Sequence, residues 1–431
     1  MIDLILRNAT IAAEDSPLDI AIDDGLIIDR GPNLNYTARQ SLDLGGRLLI
    51  PGFVESHLHL DIALMNSAEL PGRPEPYLSH YGLNDSMERR RREFTAADIE
   101  RRAGTALELA SRHGVTAVRA QCHVDEEIGL KHVQALQRVK EKYAGRVTLQ
   151  IVGFPQQGLF RHPNTLNLYR EAFRAGVDVM GGANNLDFDA DGNVDIKKHI
   201  DTIFDLAMEL DVDLDIHADL GIPDHVELDD LETVYIARKT IERGYQGRVT
   251  VGHACALGSA EPAVAEQAIE LIKAADLSIV SQPDLYRLGR EDTRHVRRGL
   301  TRVKELLAAG VNVTYASNNV RDALRPLGNF DLLEEALILA YGAHMDTVEE
   351  LHQLLRMSTY NGAKALGLKN YGLDKGCAAD LVVLEAGNPA AAIIGQVEKR
   401  YVFKAGRLMA ANRVVSELYN SHHAADYLNF K

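Results

Sequence analysis

Apolar residues in the middle of the chain follow two rhythms. Short apolar runs alternate with longer stretches in which apolar positions recur every three or four residues. Eight runs read as strands: 51–59, 115–124, 147–154, 177–182, 212–219, 249–255, 277–283 and 311–319. Between them, stretches such as 97–112, 198–210 and 262–274 carry the helical period. Strand–helix alternation builds a parallel sheet, and eight such units match an α/β fold of the TIM (β/α)8 barrel type. An open doubly wound sheet is the alternative, but no Gly-rich phosphate loop follows the first strand.

The two ends have another texture. Leu4-Ile5-Leu6, Ile20-Ala21-Ile22, Leu26-Ile27-Ile28 and Leu48-Leu49-Ile50 are short strand candidates, with Asp23-Asp24-Gly25 as a hairpin turn. Residues 380–384 and 401–408 return to that style. The pattern predicts a small β-sandwich domain formed by both chain ends. Residues 1–50 supply its first part, 371–431 its second part and a C-terminal tail, and 51–370 form the catalytic barrel.

Composition narrows the function classes. The chain has 431 residues, 46% hydrophobic and 25% charged, with a formal net charge of -15. A sizeable core is affordable, and nucleic acid or anionic membrane is a poor partner. The run Arg89-Arg90-Arg91-Arg92, flanked by Glu88 and Glu93, reads as a solvated helix face. The three cysteines, Cys122, Cys255 and Cys377, form no CxxC pair and read as small buried hydrophobes, although a thiolate role beside His123 or His253 is conceivable. No apolar run approaches the length of a membrane span, and the start lacks a signal-peptide pattern. A cytoplasmic protein is expected.

The chemistry lies in histidines that close apolar runs. His57 and His59 share one face of the first barrel strand, since side chains alternate along a strand. His217 closes the fifth strand, His253 the sixth and His123 the second. In such barrels catalytic groups sit at the C-terminal strand ends. His57, His59 and His217 therefore form a candidate site for one divalent metal ion, zinc or iron. The fourth strand ends Met180-Gly181-Gly182, with no Lys that carboxylation could turn into a bridge between two ions. The eighth ends Ser317-Asn318-Asn319, with no carboxylate where a fourth ligand would lie. His253 reads as an acid, base or oxyanion stabiliser, with a structural or ligating role as the alternative. Asp219 is either a proton shuttle or a helix cap. Gln156 offers a neutral donor and acceptor suited to an amide or lactam edge, or is an ordinary loop glutamine.

Several segments are similar to the amidohydrolase superfamily, in its cytosine deaminase-like branch, which also includes N-isopropylammelide isopropylamidohydrolase. They are 51–59 (PGFVESHLH), 122–125 (CHVD), 151–158 (IVGFPQQG), 215–219 (DIHAD), 247–253 (GRVTVGH), 297–307, 326–329, 361–367 and 375–384. The resemblance covers nearly the whole chain. It implies a barrel with a β-sandwich, and one Fe or Zn ion on His57, His59, His217 and a strand-eight aspartate, a position held here by Asn318. It implies His253 as catalytic histidine and Gln156 as a substrate-binding residue; Asn319 and His123 join the expected substrate contacts. Two departures stand out. The paired aspartate of strand eight is Asn318-Asn319, and the glutamate expected three residues after the strand-five histidine is Leu220. An amide ligates through oxygen but cannot accept the proton of the attacking water. The expected function is hydrolysis of a C–N bond in a small nitrogen heterocycle other than cytosine. The alternative is an impaired homologue that binds a small ligand or a partner. A homo-oligomer is a further expectation from the resemblance.

Overall fold

The computed structural model describes residues 1–12, 14–66, 80–184, 187–188, 194–283 and 299–415, with backbone alone for 80–86. The chain opens with Ile2–Ala9 (β1), Leu18–Asp23 (β2), Leu26–Gly31 (β3), Ala38–Asp43 (β4) and Leu48–Pro51 (β5). Strands β1 to β4 form one sheet in the order β3-β2-β1-β4. β4, with the sequence ARQSLD and largely exposed, has no apolar alternation to announce it.

Eight strands follow: Phe53–Leu58 (β6), Val115–His123 (β7), Thr148–Phe154 (β8), Val179–Ala183 (β9), Asp213–Ala218 (β10), Val249–His253 (β11), Ser278–Ser281 (β12) and Asn312–Tyr315 (β13). They pair in sequence order, parallel throughout. The barrel closes where Asn318 N–H donates to the His57 carbonyl at 3.0 Å and His59 N–H donates to the Asn318 carbonyl at 2.8 Å. The Ser56 and Thr314 hydroxyls meet across the same seam at 3.1 Å. Helices cross between strands, among them Ala96–Arg112, Ile196–Leu210, Glu232–Arg243 and Pro262–Ala274. Thr95 and Asp195 start the first two by accepting a backbone N–H three residues on.

Leu381–Leu384 (β14), Lys399–Lys404 (β15) and Arg407–Ala411 (β16) return to the chain start, in the sheet order β16-β15-β14-β5. The run expected at 401–408 is thus a hairpin. Its turn is Ala405-Gly406, both at positive φ (46° and 69°), as a two-residue turn demands. Strands β5 and β14 of this sheet are buried on both faces. Leu49, Leu381, Val383 and Phe403 pack with Leu4, Leu6 and Ile20 of the first sheet. Their alternates Leu48, Ile50, Val382, Leu384 and Val402 join the barrel core. Period-two alternation splits one continuous apolar run between two cores.

The arginine run differs from its expected role. Arg91 is fully buried and ion-paired with Glu88 and Asp125. Arg90 donates to the Met65 carbonyl and to Asn66, and Arg92 pairs with Glu127. Glu88 flanks the run in sequence, but Asp125 comes from a distant loop, which the local sequence does not reveal.

Candidate active site

Three imidazoles converge at the C-terminal mouth of the barrel. His57 Nε2 lies 3.1 Å from His217 Nε2, and His59 Nε2 lies 3.2 Å from the same atom. Nitrogens bound at 2.0–2.1 Å to one tetrahedral zinc stand roughly 3.3 Å apart. Both spacings from His217 are those of ligands that share an ion. His253 joins the group, with a ring nitrogen within 4.8 Å of those of His57 and His217. Phe154 walls the site, its ring centroid 4.4 Å from that of His217 and 5.1 Å from that of His59.

Buried polar groups behind the histidines fix their orientation. Asp215 Oδ1 stands 3.4 Å from His57 Nδ1 and accepts from Gln121 Nε2 at 3.0 Å. Asp215 Oδ2 accepts from Arg119 at 3.2 Å. Burial raises the Asp215 pKa, yet His57 and Arg119 outweigh it and hold the carboxyl below its usual range. An ionised Asp215 keeps the proton of His57 on Nδ1 and leaves Nε2 for a metal. Burial foremost, with the neighbouring imidazoles of His57 and His123, holds His59 well below its ordinary pKa, so it stays neutral. Gly252 makes room for this packing: a Cβ there would lie 3.2 Å from His57 Cε1.

Three residues at strand ends adopt positive φ: Asp219 (53°), His253 (75°) and Asn318 (58°). Such backbone is costly outside glycine and clusters at functional sites. Asn318 is held by its two seam hydrogen bonds, while Ser317 N–H donates to the buried Glu55 carboxylate at 3.0 Å and Arg325 donates to the Ser317 carbonyl at 2.8 Å. Asn319 donates from its amide Nδ2 to Asp322 Oδ2 at 2.6 Å, while its buried Oδ1 has no partner among the described residues. Asp322 Oδ1 accepts from Leu324 and Arg325 N–H, so its carboxylate shapes the loop.

Asp219 resolves into the second of its two readings. Its carboxylate accepts from the N–H of Glu232 and Thr233 and from the Thr233 hydroxyl, capping the helix Glu232–Arg243. With both oxygens occupied it is a poor proton shuttle. Gln156 is half-buried, and its side chain makes no hydrogen bond to the described residues. His123 donates from Nδ1 to Asp61 Oδ2 at 2.7 Å, and His132 does the same at 2.7 Å. These contacts are too short for ligands spread around one ion, so this second cluster is a hydrogen-bonded one. Burial opposes ionisation of Asp61, but the two histidines win and hold it well below the usual carboxylate range.

Sequence reasoning passed over Asp61, His132, Asp215, Glu232 and Gln282. Asp61 continues the spacing of His57 and His59 and could have been found from it. Gln282, just past β12, is buried near His57, with neither amide atom partnered among the described residues. Glu232 gave no signal, because it reaches the site from 13 residues beyond Asp219. Among the described residues, no helix is long and apolar enough to cross a membrane.

Comparison with known proteins agrees with this geometry. Residues 72–410 match the profile described as Amidohydrolase family. The chain is 32% identical over 421 residues to N-isopropylammelide isopropyl amidohydrolase of Pseudomonas sp. (strain ADP), covering 96% of this chain and 98% of that one. It is 28% identical over 403 residues to pterin deaminase of Rhizobium rhizogenes, covering 91% and 87%. The crystal structure of 5-methylcytosine deaminase from Klebsiella pneumoniae liganded with phosphonocytosine superposes with a TM-score of 0.86 at 29% identity, over 96% of this chain and 100% of that one. The chain belongs to the amidohydrolase family and is a metal-dependent hydrolase of carbon–nitrogen bonds.

Proposed function

We propose that the protein removes an amine or ammonia from a small nitrogen heterocycle, using one divalent ion, zinc or iron, held by His57, His59, His217 and the amide oxygen of Asn318. The observation that carries this reading is the convergence of three imidazoles at the barrel mouth, with the Nε2 atoms of His57 and His59 within 3.2 Å of His217 Nε2. When bound, the ion supplies Lewis-acid activation of water. The rest falls to the chain. Asp215 holds the tautomer of His57. His253 sits beside His57 and His217, with ring centroids 5.9 and 5.1 Å away, and donates to the oxygen that gains negative charge. Asn318 accepts no proton, so the base lies elsewhere.

Gln156 presents a donor and an acceptor to a lactam edge, and Gln282 offers a second buried amide. His123 contributes through its ring, which stands 6.1 Å from that of His59 and 5.7 Å from Phe154. The relatives' own substrates, an ammelide, a pterin and a methylcytosine, support the heterocycle class. The neutral Asn318-Asn319 pair separates this site from one built on paired aspartates, which supports a substrate other than cytosine. Free cysteines suit a reducing compartment, so we place the enzyme in the cytoplasm.

Elemental analysis of protein purified without chelator tests the metal reading. About one equivalent of zinc or iron is expected, in keeping with a three-histidine site, and His57→Ala should lose it. Folded, metal-free wild type that added zinc or iron does not load would defeat the proposal.

A further inference from the structure

Two carboxyl groups meet at the C-terminal end of β10, and they are differently committed. The Asp219 carboxylate is consumed by three donors of the helix it caps. In Glu232, Oε2 accepts from the Asp219 backbone N–H at 3.0 Å and from Asn184 Nδ2 at 3.2 Å. Glu232 Oε1 has no hydrogen bond to the described residues and is not enclosed. Asn184 lies just past β9 and Asp219 just past β10. Glu232 therefore bridges two adjacent strand ends at the mouth that holds His57, His59 and His217, with one oxygen locked and one open.

Among the described residues, Asp219 is the charged group that faces Glu232; Asn184 faces it from β9 and is neutral. Burial first, and then the Asp219 charge, push the Glu232 carboxyl up to about 7. A carboxyl that exchanges its proton near neutrality suits general acid–base work.

We propose that Glu232 carries the proton that hydrolysis moves from the attacking water to the departing nitrogen, its carboxyl group fixed between Asn184 and the Asp219 backbone. This rests on the hydrolase reading above. In the addition step the water oxygen bonds to the ring carbon that bears the leaving nitrogen. The C=N π pair moves onto the ring nitrogen, and one water proton passes to Glu232. In the elimination step Glu232 returns that proton to the exocyclic nitrogen. The ring nitrogen pair reforms the π bond, the exocyclic C–N bond breaks with its electrons going to nitrogen, and the amine leaves. The second water proton stays with the product, on oxygen or ring nitrogen.

Two readouts on the full-length protein test the assignment. Infrared difference spectra between about pH 5.5 and 8.5 should show a protonated-carboxyl band that titrates in wild type and is missing from Glu232→Gln. With N-isopropylammelide and 5-methylcytosine as probes, Glu232→Gln should lower kcat by about 100-fold or more, with KM little changed and metal content intact. Glu232→Asp should recover part of the rate and guards against a misfolded Gln variant. A titrating band that persists in Glu232→Gln, or an unchanged kcat, overturns the proposal. Wild type that releases amine from neither probe counts against that choice of substrates alone, and the infrared difference still supports or overturns Glu232 as the proton holder.

Discussion

Asp215 decides which nitrogen of His57 faces the barrel mouth. Its carboxylate sits beside Nδ1 and is kept ionised by Arg119. Replacing it with Asn removes the charge that favours Nδ1–H. Asp215→Asn should weaken metal binding by about 10–100-fold, read by competition with a chelator, because outer partners tune ligand histidines to that extent. Unchanged affinity would show that something else sets the tautomer. Glu232 makes a prediction of a different kind. Its carboxyl is raised from 4.5 to about 7. Folding therefore takes up a proton between those values. The stability this gives is fully present below the unfolded pKa and is lost as pH rises through about 7. Glu232→Gln should flatten the fall in melting temperature between about pH 5 and 8. Parallel slopes for variant and wild type would contradict it.

The elements differ in how openly the sequence declares them. The barrel strands were legible because each is an apolar run between helical stretches, and their observed bounds fall inside the expected ones except at β9, which runs one residue further, to Ala183. β4 was not, because a largely exposed polar strand that pairs with β1 takes its shape from its partner. Asp219 shows the same limit at a helix start. As a residue near a strand end it read equally as a shuttle or a cap, and only the fold brought the helix Glu232–Arg243 against it. Asp219→Ala should cost about 1–2 kcal/mol, the usual worth of a cap, measured by chemical denaturation. A variant as stable as wild type would mean that water replaces the carboxylate at no cost.

At the scale of the molecule, β5 and β14 tie both chain ends to the barrel. One face of their sheet packs on the barrel and the other on the first sheet, so Phe403 belongs to a core made of segments from opposite ends of the chain. Phe403→Ala should destabilise the protein by about 3–5 kcal/mol, the usual cost of emptying a buried aromatic site. Its metal content should remain that of wild type, since Phe403 packs with the sandwich. Metal loss at temperatures where the barrel stays folded would show that the two parts are coupled more tightly than their packing indicates.

The sequence alone determined the strand–helix rhythm, the barrel it builds and the histidines that end its strands, because periodicity and strand alternation are local properties of the chain. It also exposed the missing carboxylate at Asn318. Tertiary structure decided the rest. It placed Asp215 behind His57, used up Asp219 on a helix, turned Asn319 toward Asp322, buried Arg91 among acids and carried Glu232 to the strand ends. Those outcomes depend on which donors and charges meet once water is removed, and residues far apart in sequence meet only in the folded chain.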